Sequence, residues 1–99
     1  MESKKDGLKK LNRVRSHIDR ADLVIITALA ERESLVRDIG EIKKKFKIPV
    51  VSEKRDQQVM KRILHIAQQH GLDKGFAEEV YLSIMNEAKR IQNKIVKRR

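Results

Sequence analysis

The sequence predicts an all-α fold, in which a three-helix subunit with one very long N-terminal helix forms an intertwined helical homodimer. Eleven positions between Leu11 and Phe46, spaced alternately by three and four residues, are apolar except for Arg32. This spacing is typical of a helix that buries one stripe against other helices. The only proline is Pro49, and no strand pattern is present. The chain therefore divides into three helical segments.

The first helix is predicted from about Leu8 to Phe46, a length of about 58 Å at about 1.5 Å per residue. A compact domain of this size has a radius of gyration of only about 13 Å, so the helix must extend beyond its own core. The exposed part of the apolar stripe then needs a second subunit to cover it.

Local signals place the other two helices within a single domain of residues 1–99. Pro49 ends the first helix, and Ser52 is a good N-cap for a second helix that ends near His70 and Gly71. Asp73 can cap the third. Residues 1–7 and 96–99 are expected to fray. The predicted buried stripe of the second helix consists of Val59, Ile63, Ile66 and Ala67.

Composition excludes several classes of function. The chain has no cysteine, so disulfides, thiolate chemistry and cysteine-bound zinc are excluded. Its histidines share no ligand spacing, and no glycine-rich phosphate loop occurs, so neither a metal nor a cofactor is predicted. No signal peptide or membrane-spanning run is visible, which predicts a cytoplasmic protein.

The formal net charge of +10 raises the possibility of nucleic-acid binding. However, lysines and arginines cluster at the C-terminus and at the end of the first helix, where cations also complement the helix dipole. The chain has only three aromatic residues and no recognisable DNA-binding motif. A solvated basic surface is therefore preferred over a nucleic-acid interface.

Three cations of the first helix suggest an anion site. Arg32 interrupts the apolar stripe, where a charge needs a counter-ion, although it could instead set the helix register. Lys43 lies eleven residues later on nearly the same face, although taken alone it is better interpreted as a solvated lysine in a basic run. Arg15 is about 25 Å of helix away from Arg32, so a shared ligand would require Arg15 from a partner subunit. Alternatively, Arg15 pairs with Asp19.

Two further residues carry weaker signals. Arg55 is placed in the first turn of the second helix, where a cation opposes the helix dipole unless an anion binds nearby. It could also be an exposed arginine beside Asp56. Gln92 lies among apolar residues of the third helix, where a buried amide needs hydrogen-bond partners. The sequence is equally compatible with a hydrated glutamine at the edge of the helix bundle.

Taken together, these residues resemble the all-helical chorismate mutases of the AroQ class. The resemblance extends from about Leu11 to Gln92. No single fragment is specific, but their order and spacing are. The fragments are Val14-Arg15, Ile18-Asp19, Leu29-Ala30-Glu31-Arg32, Ile39-Gly40-Glu41-Ile42-Lys43, Ile48-Pro49-Val50, Arg55-Asp56 and Gln92.

The resemblance implies an enzyme of the shikimate pathway to aromatic amino acids, which rearranges chorismate to prephenate without a cofactor. It implies a homodimer whose two active sites are shared between subunits. By position, Arg32 and the partner's Arg15 would bind the two substrate carboxylates. Lys43 and Gln92 would be the catalytic donors to the ether oxygen.

Around that centre the resemblance implies that Arg55 adds positive potential and that Asp56 accepts a hydrogen bond from the ring hydroxyl. Three substrate-binding positions depart from many bacterial relatives, which carry aspartate at Ser52, glutamate at Asp56 and serine at Ala88. These differences concern substrate affinity rather than the type of reaction.

Three other functions remain as alternatives. The first is an isochorismate-pyruvate lyase, which resembles the mutase in fold and uses similar cations. The Asp56 position, which would hold the ring hydroxyl, favours the mutase. A basic helical dimer that binds nucleic acid is the alternative from another class. A catalytically silent relative, in which Arg32 only sets the register, is the third.

Overall fold

A computed structural model describes residues 1–99 and contains three helices and no strand, which confirms the all-α prediction. Helix α1 spans Lys4–Phe46, α2 spans Glu53–Gln69 and α3 spans Lys74–Val96. None of the three combines the length and apolarity that a membrane-spanning helix requires. The chain divides into two compact units, Met1–Ser34 and Leu35–Arg99.

Helix α1 begins at Lys4, four residues before the predicted start at Leu8. The reason is a reciprocal pair of hydrogen bonds at its N-terminus. The Asp6 amide donates to Ser3 Oγ and the Ser3 amide donates to Asp6 Oδ2, each at 3.2 Å. These bonds satisfy two donors that a helix start otherwise leaves without partners. Residues 4–7, predicted to fray, are therefore helical.

The first unit, Met1–Ser34, consists almost entirely of the N-terminal part of α1 and buries no residue. Its apolar stripe is exposed: Val14, Ile18 and Ile25 each keep more than half of their surface in solvent. Only Leu29 and Arg32 are partly covered. A helix with one exposed apolar stripe is typical of a segment that packs against another helix.

The second unit, Leu35–Arg99, contains the end of α1 together with α2 and α3, which pack against each other. Both predicted N-caps are present: Ser52 Oγ accepts from the Arg55 amide at 3.3 Å, and Asp73 Oδ2 accepts from the Phe76 amide at 2.9 Å. The small core contains apolar side chains from all three helices, namely Val36, Val59, Ala67, Ala77, Met85 and Ile95.

The predicted stripe of α2 is correct at Val59 and Ala67 but wrong at Ile66, which is 41% exposed. At about 100° per residue, Ile63 lies between Val59 and Ala67 on the helix surface, whereas Ile66 lies beyond Val59 at the edge of that arc. The buried face of α2 is thus displaced towards Ala67.

Helix α1 ends in a turn that the proline signal only partly explains. Lys47 adopts the left-handed conformation with φ 55°, and the Ile48 amide donates to the Lys43 carbonyl at 2.9 Å. This is the bond of a Schellman motif, in which glycine is the usual left-handed residue. Pro49 follows the turn and prevents the helix from resuming.

Of the four glycines of the chain, only Gly40 lies at a close contact between two helices, α1 and α3. A Cβ atom at this position would lie 3.0 Å from Ile95 Cδ1 and 3.5 Å from the Cα atom of Gln92. A larger residue would therefore press directly on α3. The glycine allows the backbone of α1 to pass close to the segment that carries Gln92.

We predict that Gly40→Leu destabilises the protein, whereas Gly7→Leu does not. Leucine improves helix propensity by up to about 1 kcal/mol at either glycine. At Gly7 nothing lies within 4 Å of the added Cβ. At Gly40 the added side chain overpacks the contact with α3, at a cost of about 1 to 3 kcal/mol.

Urea unfolding at one fixed protein concentration measures both variants. The midpoint should fall for Gly40→Leu and stay or rise for Gly7→Leu. Equal midpoints in the two variants would contradict a close approach of α1 and α3 at Gly40.

Candidate active site

Lys43, in the last turn of α1, lies at the centre of the polar cluster of the second unit. Its Nζ atom donates to Gln92 Oε1 at 2.7 Å and to the Val50 carbonyl at 2.9 Å. The side chain is partly buried. Because an ammonium group has three hydrogens, these two bonds leave one hydrogen for another acceptor.

The Val50 carbonyl reaches Lys43 because of the turn that ends α1. The left-handed Lys47 reverses the chain, and the Ile48 amide bonds back to the Lys43 carbonyl. Val50 follows two residues later and is partly buried. The backbone and the side chain of Lys43 are thus both fixed by the segment that follows the helix.

Gln92, on α3, is the only buried polar residue of the chain, with 7% of its surface exposed. Lysine can only donate, so the Gln92 oxygen must face Lys43 and the NH₂ group must point elsewhere. That nitrogen is not a buried donor without a partner. Lys43 and Gln92 thus present two adjacent donors to a common ligand.

Two opposing influences act on the charge of Lys43. Burial lowers the pKa of Lys43 from its ordinary value, and the nearby carboxylate of Asp56 partly raises it again. Burial dominates because removing an ammonium from water disfavours its charged form. A bound anion would relieve this penalty by supplying an opposite charge.

Asp56, in the first turn of α2, forms an ion pair with Lys89 of α3, with 2.7 Å between Oδ2 and Nζ. The two side chains are 31% and 32% exposed, respectively. Lys89 was not among the site residues predicted from the sequence. A signal was available, because Lys89 lies three residues before Gln92 and shares its side of the helix.

The remaining predicted positions of this unit lie on α2 and α3. Ser52 is exposed and caps α2 through the Arg55 amide. The Arg55 side chain is exposed in the first turn of α2, as the sequence suggested. Ala88 is partly buried on α3, one helical turn before Gln92. The structure therefore joins Lys43 and Gln92 by a hydrogen bond and places Asp56 close enough to affect the charge of Lys43. Ser52 and Arg55 lie at the start of α2, and Ala88 lies on α3.

Arg15 and Arg32 belong to the first unit. Arg15 is exposed and Arg32 is partly buried. Their shared contribution to one substrate site stays a prediction from helix spacing and family resemblance.

The chemistry of the second unit is that of a donor site. Lys43 and Gln92 offer hydrogen bonds to an oxygen, and Arg55 and Lys89 add positive charge, whereas Asp56 supplies one acceptor. These groups can orient an anionic molecule and stabilise negative charge that develops on it.

Comparison with known proteins agrees with this chemistry. The family described as chorismate mutase type II matches residues 14–93. A chorismate mutase from Methanocaldococcus jannaschii is 29% identical over 85 residues, which cover 86% of this chain and 86% of the relative.

Two other relatives are similar over smaller parts of their own length. A 4-amino-4-deoxychorismate mutase from Streptomyces pristinaespiralis is 29% identical over 84% of this chain and 64% of the relative. A bifunctional chorismate mutase/prephenate dehydratase from Aquifex aeolicus is 36% identical over 60% of this chain, which corresponds to 16% of that relative.

Proposed function

The chain belongs to the chorismate mutase type II family, and we propose that it rearranges chorismate to prephenate. The observation that carries this proposal is the hydrogen bond between Lys43 and Gln92, which fixes two donors side by side. In this reaction the ether C–O bond breaks while a new C–C bond forms in the same molecule. No group is transferred to the protein, so neither a nucleophile nor a cofactor is needed.

Catalysis of such a rearrangement requires two contributions from the protein. The flexible substrate must be held in a compact conformation, and the negative charge that develops on the ether oxygen must be stabilised. We assign the second role to Lys43 and Gln92. One preorganised donor of this kind typically contributes about 3 to 4 kcal/mol to transition-state stabilisation.

The hydrogen bond between the two donors also explains how they stay oriented. The Gln92 oxygen is occupied by Lys43, so the amide is held with its NH₂ group directed away from Lys43. The Val50 carbonyl holds the ammonium from another side. Donors fixed before the reaction need not reorganise as charge develops on the substrate.

We assign the binding of the two substrate carboxylates to Arg32 and the partner's Arg15. Arginine suits this role because its planar group forms two parallel hydrogen bonds with a carboxylate. Asp56 is proposed to accept from the ring hydroxyl, and Arg55 to add positive potential. Ser52 and Ala88 complete the substrate-binding positions. The Ser52 oxygen already caps α2, but its hydroxyl hydrogen can still be donated.

A shared site requires a homodimer, which the exposed stripe of the first unit supports. Val14, Ile18 and Ile25 each keep more than half of their surface exposed. Pairing the long helices of two copies would bury these residues and bring Arg15 of one copy to the site of the other. We place the enzyme in the cytoplasm, in keeping with its highly charged, cysteine-free sequence.

We predict that the purified protein forms prephenate from chorismate and leaves isochorismate intact. The alternative, an isochorismate-pyruvate lyase, would release pyruvate from isochorismate. Product formation from both substrates, measured on the same folded preparation, distinguishes the two reactions. Turnover of isochorismate alone would establish the lyase, and turnover of neither compound would contradict both.

We further predict that Arg15→Ala and Arg32→Ala are each inactive alone but complement each other after they are unfolded and refolded together. In a mixed dimer, one site keeps Arg32 of one chain and the partner's Arg15. Random pairing should give about a quarter of wild-type activity, since half of the dimers are mixed and each has one intact site.

Each variant refolded alone is the control. If both arginines acted within one chain, no mixed dimer would contain an intact site and the mixture would stay inactive. That result would contradict the shared site but not the proposed reaction.

A further inference from the structure

Lys89 is a cation at the candidate site to which the family resemblance gives no role. Its Nζ atom lies 2.7 Å from Asp56 Oδ2, and about two thirds of each side chain is buried. Asp56 is also close enough to Lys43 to affect its pKa. The single carboxylate of the site therefore interacts with two ammonium groups, which compensate its charge.

The ring substituent next to Asp56 is where two related substrates would differ. Chorismate carries a hydroxyl at C4, whereas 4-amino-4-deoxychorismate, named in the Streptomyces relative, carries an amine there. The hydroxyl is neutral, but the amine is basic and is positively charged when protonated. A carboxylate without a counter-ion attracts the charged amine, whereas a carboxylate paired with lysine does not.

We propose that Lys89 is a specificity-determining residue that selects the 4-hydroxyl substrate over the 4-amino substrate. The inference rests on the proposed function, because it assigns the ring substituent to Asp56. Lys89 acts in two ways. It compensates the negative charge that would attract an ammonium, and it places a like charge within a few Å of the position that the ammonium would occupy.

The ion pair between Asp56 and Lys89 costs a substrate with a neutral hydroxyl little binding energy. Asp56 has a second oxygen, Oδ1, that can accept a hydrogen bond while Oδ2 remains paired with Lys89. The ion pair also holds the Asp56 side chain between α2 and α3, which keeps that oxygen in a fixed position. Lys89 therefore supports the neutral substrate and disfavours the cationic one.

The test compares Lys89→Met with the wild type on both substrates. Methionine keeps a long unbranched side chain but removes the charge. We expect the ratio of kcat/KM for 4-amino-4-deoxychorismate to that for chorismate to rise by at least about tenfold, as for the loss of a like charge at close range.

Two further variants control for structural effects. Lys94→Met removes an exposed lysine from the same helix and should leave the ratio unchanged. Lys89→Arg keeps the charge and should keep the wild-type preference. A purely structural ion pair would affect both substrates equally, so an unchanged ratio in Lys89→Met would overturn the inference.

Binding measurements separate this inference from the proposed reaction. Titration calorimetry with both compounds gives the preference even without turnover. If the wild type binds both compounds but rearranges neither, the proposed function fails, while a shift of at least tenfold in the affinity ratio of Lys89→Met still supports the selectivity. If neither compound binds, both proposals are contradicted.

Discussion

The candidate site depends on one constraint, the need to supply hydrogen-bond acceptors to the partly buried ammonium group of Lys43. Burial disfavours its charge, and the chain compensates with two oxygens, the Gln92 amide and the Val50 carbonyl. Each partner needs a particular local structure. Gly40 lets α1 approach the segment of α3 that carries Gln92, and the left-handed Lys47 turns the chain so that Val50 returns to the helix end. Substitutions at Gly40 or Lys47 would therefore shift the backbone that positions Gln92 and Val50 around Lys43.

In the proposed mechanism, the balance of charge around Lys43 links catalysis to substrate choice. A donor site for an anionic substrate is expected to carry an excess of cations, and this one does. The exception, Asp56, is paired with Lys89. Without that pair, the carboxylate would repel an anionic substrate and attract a cationic substituent. The ion pair lets an acceptor remain in the site at a small electrostatic cost.

The predictable part of this structure is the part that local sequence determines. Helical spacing and the caps Ser52 and Asp73 give the three helices, because capping involves residues only three positions apart. The early start of α1 was missed although Ser3 and Asp6 form the same kind of local signal. The left-handed residue was not predicted, since a lysine at that position gives no such indication.

The site was harder to predict from the sequence than the helices were, because its contacts join distant segments. Lys43 and Gln92 are 49 residues apart, and family resemblance rather than spacing associated them. The pairing of Asp56 with Lys89 depends on how α2 packs against α3, which no local pattern encodes. The proposed pairing of Arg32 with the partner's Arg15 involves a second subunit and stays a prediction.

The pH dependence of Gln92→Glu tests most directly whether a hydrogen-bond donor at this position is essential. A carboxylate can only accept, whereas a protonated carboxyl group can donate. We predict that kcat/KM of the variant falls by about 10²- to 10³-fold as rising pH ionises the carboxyl group, the loss expected for one donor. Wild-type activity should not change over the same range. Parallel pH profiles for variant and wild type would contradict the assignment of Gln92 as a donor to the transition state.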